Sequence, residues 1–282
     1  MRNTLKTTVL LAGMGGLMVL VGSFFGTGGA IIGLGLGLVF VGGSYWFSDK
    51  IAIKAARARE VTQAEMPEYY GMVQDLAMRA EMPMPKIYVS PNEQPNAFAT
   101  GRNPDHAAVA VTEGILQVLS TEELRGVLAH EISHVGNRDI LISSVAAAVA
   151  MGITFMARMA MWGAMFGGGG GRNRNDNIFG LLAMALLAPM AAGILQMALS
   201  RSREYEADRA GARLIGDGEP LARALEKIDA YAHQVPMEVN QAQAQAYIIN
   251  PLSGQKVRFA NWLRTHPPTE DRLARLRDGS WR

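Results

Sequence analysis

The chain has 282 residues, enough for one sizeable domain plus additional segments. Hydrophobic residues make up 49% and charged residues 18%, below the roughly 25% usual in soluble domains, which points to membrane segments. The net charge of +2 is too mild to argue for nucleic acid, and the absence of cysteine excludes disulfides, thiolate metal sites and a cysteine nucleophile.

No charged residue occurs between Lys6 and Asp49. A membrane helix needs about 20 apolar residues, so this stretch can hold two, near 7–25 and 30–47, with Gly26 to Gly29 as the turn. Arg2 and Lys6 ahead of an apolar run also suit a cleaved signal peptide, but a second run follows at once, which favours an uncleaved hairpin. Lys50, Lys54, Arg57 and Arg59 come next. The positive-inside tendency then puts both ends of the hairpin in the cytoplasm.

Residues 60–139 read as soluble. A helical period runs over 66–83, and short β-type runs occupy 86–90, 96–100 and 107–112, split by Pro, Gly and Asn. Residues 120–137 read as a helix opened by a capping box of Ser120 and Glu123. Two more apolar runs, 140–165 and 178–200, flank the glycine-rich loop 167–177. Arg158 is costly at bilayer depth unless it snorkels to an edge, and Arg172 and Arg174 would face outside against the charge tendency, so this second hairpin either spans or is embedded without fully crossing. The remainder, 201–282, reads as soluble and mostly helical.

His130 and His134 lie four residues apart on the expected helix, with Glu131 beside the first. That spacing stacks both imidazoles on one face, where they can share a zinc ion while Glu131 reaches its water. This is the H-E-x-x-H pattern of zinc hydrolases. The bland alternative is a polar face with two solvated histidines. Catalytic zinc usually takes three protein ligands, so a third must come from elsewhere. Glu204 and Asp208 are also four apart, while Glu206 points away. One carboxylate can bind zinc and the other can orient a ligand imidazole. A surface helix laced with Arg–Glu pairs fits the same residues. The motif helix ends just before the apolar run at 140, and the carboxylate helix starts just after the run ending at 200. A hairpin between them would return both ligand sets to one membrane face.

These motifs, "NAFATG", "LAHEISHVGNRD", "SREYEAD" and "THPPTEDRL" in this order with two hairpins, resemble the HtpX-type membrane zinc metalloproteases, relatives of the CAAX prenyl endopeptidases. Arg158 and the glycines at 167–171 depart from that pattern. The resemblance implies Glu204 as the third zinc ligand and Asp208 as a carboxylate behind the ligands. It implies His266 as an oxyanion donor with Arg272 nearby; a helix cap plus a surface arginine is the plainer reading of those two. "PNAFATG" has the Pro and Gly of an edge strand, to which a peptide can add through its backbone. Asn96, Ala97 and Phe98 are therefore the candidate substrate-binding residues. His106 and His233 lack a partner pattern and read as structural.

The expected fold is a mainly α membrane protein. It has two apolar helical hairpins, about four transmembrane helices, and a gluzincin-like α+β metalloprotease domain with a small sheet. The expected divisions are 1–48, 49–139, 140–200 and 201–282. The expected function is zinc-dependent endopeptidase action with one Zn2+ per chain, on polypeptides that include misfolded membrane proteins. The expected location is a cytoplasmic (inner) membrane, with the catalytic part facing the cytoplasm. The alternatives are an intramembrane site-2-type protease and a non-enzymatic membrane scaffold.

Overall fold

The structure is a computed structural model. It describes residues 26–141, 201–234 and 267–282, together with Ala12, Gly15, Gly16, Val19 and Ser23. Most of the first expected span, nearly all of the second hairpin, Arg158, the glycine-rich loop and His266 lie outside the described residues.

Helix α1 (Gly26–Ala55) is continuous over 30 residues. Gly26 to Gly29, expected as a turn, instead forms its first turn, because glycine adopts the αR conformation as freely as a turn conformation. The helix also runs beyond the expected end near 47, through helix-compatible Lys50 to Ala55. Lys54 in its last turn complements the helix dipole. Ile31, Ile32, Leu34, Leu36, Leu38, Val39, Trp46 and Phe47 on α1 are all more than half solvent-accessible or, for Leu34, half so. Among the described residues no helix is long and apolar enough to cross a membrane.

Strand β1 (Arg59–Glu60) follows, too short to leave a pattern in the sequence. Helix α2 (Pro67–Arg79) starts on Pro67 and stops before the expected end at 83. Glu81 has φ 51°, which the helix cannot continue through. Strands β2 (Lys86–Ser90), β3 (Ala97–Gly101) and β4 (Ala107–Thr112) match the expected runs within a residue or so. The sheet order is β1-β2-β4-β3, with β2 parallel to β4 and β3 antiparallel to it. The edge position expected for β3 is therefore the one it occupies. Gly101 closes β3 with φ 137°, and a Cβ there would stand 2.2 Å from His106 O, so only glycine fits the turn into β4.

After the short α3 (Glu113–Val118) comes α4 (Thr121–Gly136), which carries the metal motif. Both arms of its capping box are present: Glu123 N–H donates to Ser120 Oγ at 3.4 Å, and Ser120 N–H donates to Glu123 Oε2 at 2.9 Å. Helices α5 (Arg201–Ile215), α6 (Glu219–Gln234) and α7 (Thr269–Arg277) complete the described fold. The core joins the sheet to α2, α4 and α6 through Val73, Leu76, Val109, Val111, Leu128, Ile132 and Leu225. Helix α4 is the hub, in contact with α5, α6 and β3. Two glycines set how closely. A Cβ on Gly126 would stand 2.5 Å from Leu221 N, and one on Gly211 would stand 2.9 Å from His130 N. The second approach presses α5 onto α4 at the motif itself.

Candidate active site

Three side chains converge between α4 and α5. His130 and His134 point the same way from α4, with their Nε2 atoms 3.2 Å apart. Glu204 reaches across from α5, placing Oε2 3.7 Å from His130 Nε2 and Oε1 3.6 Å from His134 Nε2. One donor atom from each lies within 4.8 Å of the others, so the group can hold a metal ion. With metal–ligand bonds of about 2.0–2.1 Å, tetrahedral ligands stand about 3.3–3.4 Å apart. The 3.2 Å between the imidazoles is close to that spacing, each imidazole has one of the two Glu204 oxygens within 3.7 Å, and two imidazoles with one carboxylate are a donor set such an ion takes. The bland readings, solvated histidines and a surface Arg–Glu helix, fail on burial: His130 is 1% exposed and Glu204 5%.

Each histidine has a carboxylate on its other ring nitrogen. Asp208, one helical turn beyond Glu204, puts Oδ1 2.9 Å from His130 Nδ1. The separation suits a hydrogen bond, but Nδ1 makes no well-aligned one as the ring stands. Arg272 on α7 grips Asp208 with two bonds, Nε at 2.8 Å and Nη2 at 2.7 Å. Arg272 is 1% exposed, so it is no surface arginine. Burial works to raise Asp208, but the Arg272 guanidinium overrides it and holds the carboxyl at about 2. Glu206 faces solvent and pairs with Arg209 at 3.3 Å.

The second carboxylate, Asp139, was not singled out from the sequence. Its Oδ2 lies 3.5 Å from His134 Nδ1. It gets there through the helix C-terminus. Arg138 turns left-handed at φ 58°, its N–H donates to Val135 O at 3.0 Å, and Asp139 N–H donates to His134 O at 2.9 Å. These two bonds make a Schellman motif, which folds the chain back over the last turn. The signal in "HVGNRD" was faint, because the left-handed position carries arginine and not the usual glycine. Burial works to lower His134, but Glu204, Asp139 and Glu131 together raise it to about 9. Arg203, beside Glu204, is also buried, and burial pushes its guanidinium down against the pull of Asp139 and Glu204.

Glu131 points from α4 toward β3, where Ala99 N–H donates to its Oε2 at 2.8 Å. Burial, the largest influence, pushes its carboxyl above the usual range against the lowering effect of His130 and His134. A buried carboxylate beside a metal-binding group can exchange a proton with water there. Of the candidate substrate residues, Asn96 is buried with its backbone hooked to Thr112, N–H to Oγ1 at 2.9 Å and carbonyl to N–H at 2.9 Å. Ala97 is buried, and Phe98 is half-buried on the edge strand. His106 is exposed, 2.8 Å from Asn103 Oδ1, away from the constellation. The side chain of His233, like His266 entire, lies outside the described residues.

Known proteins resemble this chain. The profile of peptidase family M48 matches residues 63–280. A protease HtpX homolog from Desulforapulum autotrophicum is 50% identical over 288 residues, covering 99% of this chain and 91% of its own. A second, from Syntrophotalea carbinolica, is 51% identical over 277 residues, covering 97% and 98%. The crystal structure of S. mikatae Ste24p matches with a TM-score of 0.53 at 20% identity, over 98% of this chain and 65% of that one, which supports the fold. With the H-E-x-x-H helix, the facing carboxylate and relatives matched almost end to end, the chain belongs to peptidase family M48 and is a metalloendopeptidase of the HtpX type.

Proposed function

We propose that the protein is a zinc endopeptidase at the cytoplasmic face of a membrane, cleaving polypeptides that include damaged membrane proteins. The observation that carries the zinc reading is the convergence of one donor atom each from His130, His134 and Glu204 within 4.8 Å. The donor set of two imidazoles and one carboxylate is typical of catalytic zinc, which also leaves a position open for water. What supports the membrane location is α1, whose large apolar side chains are exposed in a row longer than a soluble surface usually tolerates. The exposed basic residues Lys50 and Lys54 at its end suit the cytoplasmic side.

In this reading His130, His134 and Glu204 hold the ion. Zinc, when bound, supplies Lewis acidity that lowers the pKa of water toward about 7 and polarises the scissile carbonyl. Glu131 takes the proton from the attacking water and returns it to the leaving amine nitrogen as the C–N bond breaks. Asp208, fixed by Arg272, and Asp139 orient the two imidazoles. A peptide adds to the β3 edge as an extra strand, which reads backbone more than side chains and suits broad specificity. His266 is the proposed second donor to the oxyanion.

Purified protein in detergent tests the assignment. Glu131→Gln is expected to keep one zinc per chain and to lose β-casein cleavage by at least about a hundredfold, the usual worth of a general base. Undiminished cleavage would rule the assignment out.

A further inference from the structure

The register of β3 contains a detail that a substrate-binding edge does not require. Thr112 N–H donates to Asn96 O, so residues 96 and 112 form a hydrogen-bonded pair of the antiparallel ladder. Partners alternate along such a ladder. With Phe98 opposite Ala110 and Thr100 opposite Ala108, those residues bond inward to β4. Ala97, Ala99 and Gly101 then turn their backbone groups outward, toward whatever adds to the edge. Of these, the Ala99 N–H already has a partner on another element. It donates to Glu131 Oε2 at 2.8 Å. Glu131 is 6% exposed and sits one residue from His130.

We propose that the Ala99 backbone amide is a positioning group for Glu131 and not a rung of the substrate ladder. The edge strand thus serves two purposes at adjacent atoms. Its outward N–H at Ala99 fixes the carboxylate that handles the proton, while the Ala99 carbonyl and the backbone of Ala97 face the peptide. The hydrogen bond leaves Glu131 Oε1 as the oxygen turned to water and prevents the carboxylate from rotating away. This rests on the reading above, in which Glu131 moves the proton and the peptide pairs with β3.

Proline removes an amide hydrogen, and an outward position of an edge strand is where a sheet tolerates it. Ala99→Pro is expected to lower kcat for β-casein about tenfold to a hundredfold, the worth of a hydrogen bond to a charged group, with KM within about twofold. Zinc content is expected to stay at one per chain. Ala99→Ser, which keeps the N–H, is expected to lower kcat far less than Ala99→Pro. Ala97→Pro removes an outward amide that Glu131 does not touch and is expected to raise KM with kcat kept. If Ala99→Pro does not fold, replacing the residue by lactate removes the same hydrogen and keeps the methyl group. A structural readout stands beside the kinetics: in Glu131→Ala the Ala99 amide is expected to exchange with deuterium at least about tenfold faster. A rise in KM with kcat unchanged in Ala99→Pro would overturn the proposal, as would unchanged exchange at Ala99. An unchanged KM in Ala97→Pro would instead defeat the reading that peptides pair with β3, leaving the Ala99 result to be judged on kcat and exchange.

Discussion

Replacing Arg272 by methionine isolates the charge that the fold places behind the metal-binding group. Asp208 is 3% exposed and its two carboxylate oxygens are taken by Arg272 at 2.7 and 2.8 Å. Removing the guanidinium leaves a buried carboxylate that faces His130 Nδ1 alone. Breaking a buried pair from one side costs about 3–5 kcal/mol. At about 2–4 °C per kcal/mol for domains of 150–250 residues, the melting temperature should fall by about 6–20 °C. The pair's pH dependence has a definite sign. Asp208 is held at about 2, below its unfolded value, so its stabilisation is full above the unfolded pKa and lost as pH falls through about 2. The Arg272→Met deficit should therefore persist at neutral pH and shrink in acid. Adding Asp208→Asn removes the uncompensated charge and should restore much of the stability. It should not restore the metal, whose affinity falls about 10–100-fold when a carboxylate behind a ligand histidine is lost. Thermal melts in detergent and zinc retention against a graded chelator read the two effects separately. A stability loss under about 1 kcal/mol in Arg272→Met, or full zinc affinity in the double variant, would refute the reasoning.

Asp139→Asn should weaken zinc retention less than Asp208→Asn, because its oxygen stands 3.5 Å from His134 Nδ1 against 2.9 Å for the other pair. Equal losses in chelator competition would count against that ranking. Gly211→Ala should cost about 1–3 kcal/mol by wedging α5 off α4 at His130 N, whereas Gly136→Ala, with nothing within 4 Å of its added Cβ, should cost nothing by comparison. Melting curves of the two variants decide it. Because His134 titrates at about 9 among three carboxylates, metal uptake by the metal-free protein must displace a proton. The apparent zinc affinity should then rise about tenfold per pH unit between pH 6.5 and 8.5. A flat profile would show that the ring is already neutral.

The parts of this site that the sequence exposes are those whose geometry is local. His130 and His134 share a helix, so their four-residue spacing is already a distance, and the capping box of Ser120 and Glu123 marks where that helix begins. Glu204 needed one further step, a return of the chain to the same face, which the 69 residues between His134 and Glu204 leave to topology. Gly211 and Gly126 set the helix packing, yet nothing in their neighbours marks them, because a close approach is a property of the partner helix. The left-handed Arg138 defeated pattern reading for a different reason: its conformation is imposed by two backbone bonds and not by residue type. The glycines at 26–29 misled for the converse reason. Glycine permits a turn without requiring one, and here the chain continues as α1.

The two imidazoles are held by different lengths of chain, and this bears on how the site fails. His134 faces Asp139, five residues on, which the C-terminal cap of α4 itself brings back. His130 has Asp208 2.9 Å from its Nδ1, gripped in turn by Arg272, and these two come from α5 and α7. Glu204 comes with α5, so one docking event delivers the third donor and the orientation of the first. The candidate metal group is thus completed by the packing of α5 on α4 at Gly211.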